Sequence, residues 1–372
     1  MATAELRFLE GASALKDRMR LLSGRQPNSS QVAFASSCLL HGRLFWESAR
    51  AAPIETRPLL LYYGAAAFAK LLVIAKTGCQ PHDIGSSHGA SCMPGLGDTV
   101  GGYLIRCDGT GLFQSFNDVA AGLCRLKYFH NFESRYVSTP AASSELLVGL
   151  QLSLQEILAR VPEVADMYKL CCGTPASVTG LSVLAPISLE DDFKIRVDLP
   201  EGFAGLEQLK AHVAMLRERI PFFTEWRLYS AQHAWNNSIT MFCNRSGALE
   251  STEFNGVFDE GGKNFAASIP EGLARFEVAP VLPSLAGGYS RSNSYITPVS
   301  GAAVSEHSLQ LLGLLSLSSL VRYRPHVWTS CVHRRRLGEK PVDDALLPAI
   351  EVFLECVTES FPQLVADVLL SR

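Results

Sequence analysis

Arg125 and His130, in the stretch CRLKYFHN, are separated by four residues. This is the Rx4H form, a pair that can cleave RNA without a metal. A histidine there would act as general base or acid on the 2′-hydroxyl or the leaving oxygen, and a guanidinium would neutralise charge developing on the phosphorane. On an ideal helix the two positions lie about 140° apart, so they converge only if the helix ends or distorts between them, or if two such helices meet across a dimer. The structural alternative is a surface arginine and a histidine interacting with the last carbonyls of its helix.

A second candidate is His88 in GSSHGAS, where small residues and two glycines let backbone approach a ligand closely. With Ser86, Ser87 and Lys70 it could form an anion pocket, or it could be a turn histidine bonded to a neighbouring helix. A third is the crowd Arg322, Tyr323, Arg324, His326 and Trp328 in SSLVRYRPHVWTS. Charge plus stacking would suit an anion or nucleotide; alternatively the arginines bridge Asp343 and Asp344 and lock helices together. The basic run HRRR from His333 to Arg336 reads more simply as a solvated turn than as a phosphate-binding patch.

Other chemistries lack their residues. There is no GxSxG elbow, no cysteine in a distinctive setting beside a histidine, no HExxH and no GxxxxGK[ST] loop, so nucleophilic hydrolysis, metal hydrolysis and ATP binding are not called for. The ten cysteines are scattered without CxxC pairs, which gives no zinc site. No metal or cofactor is expected, and reduced thiols point to a cytoplasmic setting. The net charge of −3 advertises neither nucleic acid nor an anionic membrane, while 47% apolar against 19% charged residues describe a chain able to bury a large core.

The elements that must hold these residues are mainly helical. Helical spacing of apolar residues recurs in Ala12–Leu22, Gln31–Arg50, Arg57–Thr77, Phe116–Phe129, Ser144–Arg160 and Val164–Cys172. Pro58 suits the first turn of the third helix and Gly78 its stop. That helix is the main membrane candidate, but its apolar run from Leu59 to Ala75 falls short of the roughly 20 residues a span needs, and Lys70 sits inside it. Tyr62, Tyr63 and Lys70 are better explained by a buried helix, and no membrane partner is expected. A small hairpin is predicted to pair YLIRC with LFQSF across DGTG.

From 186 to 302 the pattern changes to alternating or β-rich stretches, DFKIRVDL, WRLYSAQHAW, SITMFCNR, ARFEVAPVL and SYITPV, with one helix over Phe203–Arg219. Helices return at Glu306–Val321, Asp343–Thr358 and Pro362–Leu370, with Pro325 breaking the chain after the first of these. The expectation is an α+β chain: a mainly helical bundle over 1–185, an inserted antiparallel β-sheet region over 186–302, and C-terminal helices over 303–372 that pack on the first part.

YYGAAAFAKLL followed by SHG, the short hairpin leading to GLFQSF, and LSSLVRYRPHVW with FP and LVADVLL after it resemble the YaaC-like family, a bacterial group. The first part is also similar to HEPN domains, in which such a tyrosine-bearing helix precedes an SHG-like loop. In active HEPN ribonucleases an Rx4-6H motif on a later helix, duplicated in a homodimer, forms the site. The resemblance implies a protein of a stress or phage-defence system acting as a metal-independent endoribonuclease, with catalytic Arg125 and His130. Its partners would be RNA or a nucleotide and a protein from a defence or toxin operon, within a homo-oligomer. Leu126 stands where active members often carry a polar residue. The alternative is therefore a noncatalytic binding or assembly subunit that scaffolds a protein or binds a nucleotide or nucleic acid. In that reading the binding residues are Lys70, His88, Arg322, Arg324, His326 and Trp328.

Overall fold

The computed structural model describes residues 6–93, 99–130, 133–138, 141–184, 194–198, 206–219, 226–232, 238–243, 256–258, 264–267, 293–333, 336–337, 340–341 and 345–370. In chain order the first elements are α1 (Ala12–Ser23), α2 (Ser29–Ala51), α3 (Arg57–Thr77), β1 (Ala90–Met93), β2 (Leu104–Cys107), α4 (Leu112–Leu123), β3 (Arg125–His130) and β4 (Glu133–Ser138). Next come α5 (Ser144–Leu147), β5 (Gln151–Ser153), α6 (Leu154–Leu158), α7 (Ala165–Cys172), β6 (Val178–Leu184), β7 (Lys194–Asp198) and α8 (Leu206–Arg219). The chain then forms β8 (Trp226–Gln232), β9 (Ser238–Cys243), β10 (Gly256–Phe258), β11 (Asn264–Ala267) and β12 (Asn293–Ile296). It closes with α9 (Glu306–Tyr323), α10 (Pro325–Val332), β13 (Arg336–Leu337), β14 (Lys340–Pro341) and α11 (Leu347–Leu370). The fold is α+β and mainly helical.

Two compact units divide the chain: Met1–Cys124, Ala141–Val178 and Pro298–Arg372 make one, and Arg125–Pro140 and Thr179–Thr297 the other. The second unit holds a seven-stranded sheet in the order β10-β11-β8-β9-β7-β6-β12, the helix α8, and the separate hairpin β3–β4. The stretch ARFEVAPVL lies outside the described residues.

In the first unit α3 is the axis, packed against α2, α9, α1, α4 and α11. It has the length and apolarity of a membrane span, with mean hydropathy 1.7, yet its side chains are mostly buried in protein. Pro58 opens it and Gly78 ends it in the left-handed region (φ 65°), its N–H bonding the Ile74 carbonyl. Asn28 and Gln31 cap α2 reciprocally, and the Gln31 amide donates on to the carbonyls of Gly78 and Cys79, at 2.8 and 3.0 Å. The start of α2 is thereby fastened to the end of α3. Gly64 lets these helices approach: a Cβ there would meet the Trp46 ring at 2.7 Å.

Four local expectations are corrected. LFQSF does not pair with YLIRC; it opens α4, and β2 lies between β1 and β5 in a three-stranded antiparallel sheet. The helix expected over Phe116–Phe129 stops at Leu123, and the chain from Arg125 is strand paired with β4, so the Rx4H motif is not helical. The segment Ser144–Arg160 is a short helix, a strand and a second short helix, because the turn at Gly149 (φ 79°) interrupts it. Finally, the two helices expected on either side of Pro362 are one continuous helix, α11, with the proline inside it.

Candidate functional site

The SHG loop is held by main chain. Ser87 and His88 carbonyls accept from the amides of Leu112 and Phe113 at 3.0 Å each, and the Gly89 carbonyl accepts from Asp108 N and from the Gln114 side chain, at 2.9 and 2.7 Å. Gly89 (φ 78°) and Gly111 (φ 138°) face one another so closely that a Cβ on Gly89 would lie 2.8 Å from Phe113 N. The glycines therefore dock the loop against the first turn of α4 and fix where the His88 ring emerges.

That ring meets Tyr62 of α3. The Tyr62 hydroxyl and His88 Nδ1 are 2.6 Å apart, with the rings edge to face at 5.4 Å. Burial pushes the Tyr62 phenol above its ordinary range, so it keeps its proton. Burial first, then the charges of Arg322 and Lys70, hold His88 below its ordinary value, so the imidazole is neutral. The hydroxyl has no other acceptor among the described residues. Donation from Tyr62 to Nδ1 satisfies it and leaves the imidazole proton on Nε2.

His88 lines one wall of a cleft of about 400 Å3, with Ser91 and Cys92 of β1 beside it and Tyr103 just before β2. The opposite wall is the last turns of α9, from which Leu315, Ser319, Arg322 and Tyr323 project, with Arg324 following. Their spacing of four, three and one puts them on one helical face. The Tyr103 and Ser319 hydroxyls bond at 2.9 Å, joining the two walls. Burial raises the Cys92 thiol and the Tyr103 phenol, so neither supplies an anion here.

Arg322 dominates the electrostatics. Its Nε donates to the Ser318 carbonyl at 3.3 Å, and its Cζ lies 4.9 Å from the Tyr323 ring centre and 5.9 Å from that of Tyr63. Among the described residues it has no carboxylate partner, and none of those lining the cleft is Asp or Glu. Pro325 opens α10 immediately after this turn, which holds the arginine-bearing end of α9 at the mouth.

Of the residues expected to bind, His88, Arg322 and Arg324 come together in this cleft. Lys70 does not line it, although its charge is felt at His88. Ser86 and Ser87 stand apart from it, Ser87 Oγ bonding the Thr110 carbonyl at 3.3 Å. His326 is exposed on α10 outside the lining, and Trp328 is 1% exposed with its indole N–H on the Glu55 carbonyl at 2.9 Å, so it is core. Arg125 and His130 lie on β3 in the other unit, opposite Ser138 and Glu133 of β4. Asp343 and Asp344 lie outside the described residues. Nothing in the residue types of Tyr103 and Ser319 marks them for the site; the Ser319–Arg322–Tyr323 spacing is the available signal.

A second cluster lies elsewhere in the same unit. Oxygens of Glu163 and Glu306 and the Cys356 sulfur are within 4.8 Å of one another, the one such group among the described residues. Burial, then the neighbouring Glu163, pushes the Glu306 carboxyl well above the carboxylate range. The Gln310 side-chain amide donates to Glu306 at 2.8 Å, and the Cys356 thiol donates to Glu163 at 3.6 Å. Metal ligands must be deprotonated, whereas this is an acid pair retaining a proton and bonded to its neighbours.

The family model described as YaaC-like Protein matches residues 12–369, nearly the whole chain. The chain belongs to the YaaC-like family. Both cleft walls of this YaaC-like chain, and the second unit, fall inside that match. No curated protein and no solved structure matches it.

Proposed function

We propose that this YaaC-like chain is a noncatalytic binding module whose cleft captures a small anionic ligand in the cytoplasm. The observation that carries the reading is Arg322: a guanidinium beside two tyrosine rings in a cleft where, among the described residues, it has no carboxylate partner and no acid lines the walls. The His88 imidazole, with its proton on Nε2, adds a neutral donor, and Arg324 a second cation at the mouth. Planar guanidinium groups recognise phosphate or carboxylate oxygens in pairs.

The endoribonuclease reading has less support. It rests on Arg125 and His130 acting on one phosphate, and these lie on strand β3 rather than on a helix such as carries the motif in active HEPN ribonucleases.

Titration calorimetry of the full chain with inorganic phosphate, beside Arg322→Gln, tests the binding reading. Saturable binding weakened at least about tenfold in the variant, as expected for loss of a charge-assisted contact, supports it. Absence of binding, or equal affinity in both proteins, overturns it.

A further inference from the structure

The cleft says more about its ligand than that it is anionic. Three features of its lining act together. The anion end has two arginines and the neutral His88 donor, with Lys70 near enough to influence His88, which suits a doubly charged phosphomonoester better than a single carboxylate. The rim carries Tyr323, an aromatic side chain 67% exposed that also lines the cleft. Such a ring is a platform on which any nucleobase can stack. Between them, Ser91 Oγ, which donates to Asp108, and the mutually bonded Tyr103 and Ser319 hydroxyls keep lone pairs that can accept from a ligand, and Leu315 offers an apolar patch.

Size and charge narrow the class further. About 400 Å3 is at the lower end of the range of small-molecule sites, room for one nucleotide. Triphosphates are ordinarily bound with magnesium, held through one or two protein carboxylates as well as the phosphates. Among the described residues, no carboxylate lines this cleft. It also lacks the glycine-rich helix-opening loop that wraps a polyphosphate, the glycines here being spent on docking the SHG loop to α4.

We infer that the His88–Arg322–Tyr323 cleft is a site for a nucleoside monophosphate, the phosphate held by Arg322, Arg324 and His88 and the base stacked on Tyr323. This rests on the anion-binding reading above and goes beyond it in naming the base and the single phosphate. Because stacking tolerates any base, AMP serves as probe and uridine monophosphate as its check.

The experiment is calorimetric titration of the full chain with inorganic phosphate, adenosine, AMP, UMP and magnesium-ATP, repeated for Tyr323→Leu and Arg322→Gln, with melting curves to show that each variant is folded. AMP and UMP are expected to bind at least about tenfold more tightly than phosphate or adenosine, and magnesium-ATP more weakly than AMP. Tyr323→Leu is expected to bring AMP down to the affinity of phosphate, and Arg322→Gln to remove both. If phosphate binds and AMP binds no better, or magnesium-ATP binds more tightly than AMP, the nucleoside monophosphate inference fails while the anion site stands. If phosphate and AMP both fail to bind, the anion-binding reading fails and takes this inference with it. Should a variant not fold, displacement of bound AMP by excess phosphate in the wild type reads the same question. Competition supports one shared phosphate subsite, and its absence overturns it.

Discussion

Trp46 supplies the hydrogen-bond donor that Pro362 withholds. A proline inside a helix leaves the carbonyl four residues earlier without its partner, and here that carbonyl belongs to Thr358, which accepts from the Trp46 indole N–H at 2.8 Å. The helix α11 therefore runs on through the proline, and its mid-point is fastened to α2 at the same place. Trp46 also packs on Phe68 and Phe361, at 5.5 and 6.0 Å between ring centres.

This relation predicts a non-additive pair. Trp46→Phe keeps an aromatic body but strands the Thr358 carbonyl, which costs about 1–3 kcal/mol for a buried unsatisfied acceptor. Pro362→Ala returns a helical N–H to that carbonyl. Denaturant unfolding of both singles and the double mutant should show Pro362→Ala rescuing part of the Trp46→Phe loss; strictly additive effects would contradict the shared carbonyl.

His88 should titrate below the ordinary histidine value of about 6.5. Its folded-state pKa is depressed, by burial and then by the Arg322 and Lys70 charges. Its contribution to stability is therefore present above the unfolded value and lost as pH falls through the folded one. Arg322→Gln should move the midpoint upward in an NMR titration of the His88 ring. An unchanged midpoint would mean that the arginine does not act on this imidazole.

Glu306 has the opposite sign. Its carboxyl holds a proton well above the carboxylate range, because of burial and then Glu163, whereas the unfolded chain releases it near about 4.3. The stabilisation is whole below that pH and is lost as pH rises toward the folded value. Glu306→Gln keeps a neutral side chain, so its melting temperature relative to wild type should rise between pH 4 and pH 8. The same difference at both ends of that range would rule out the Glu306–Glu163 acid pair as its source.

RNA incubated with the chain in EDTA should be cut no faster than with Arg125→Ala or His130→Ala. Cleavage by the wild type that both variants lose would restore the endoribonuclease reading over the binding one.

Much of the first unit was readable because its helices carry their own boundaries. Pro58 and Gly78 mark α3 at both ends, and α9 shows its cleft-facing side in the spacing of Ser319, Arg322 and Tyr323. What misled was local pattern overruled by distant partners. LFQSF has alternating character, but Gly111 and the docked SHG loop make it the first turn of α4. Pro362 reads as a helix stop until Trp46, 316 positions earlier, is brought beside Thr358. The Rx4H motif reads as helical because apolar residues recur at helical spacing from Phe116 to Phe129, but the pairing of Arg125–His130 with β4 decides for strand. The Tyr62–His88 bond crosses two elements and has no sequence period to announce it.

The first unit is assembled from segments that precede and follow the second unit in the chain. The central helix α3 finishes at Thr77, but α9, which covers it, starts at Glu306 and α11 later still. At a synthesis rate of roughly 5–20 residues per second, that interval lasts on the order of ten to fifty seconds. Throughout it, a newly made helix apolar enough to enter a bilayer waits without its cover. Until then the cover of α3 comes from its early neighbours alone, α1, α4 and above all α2, fastened to its end through Gln31.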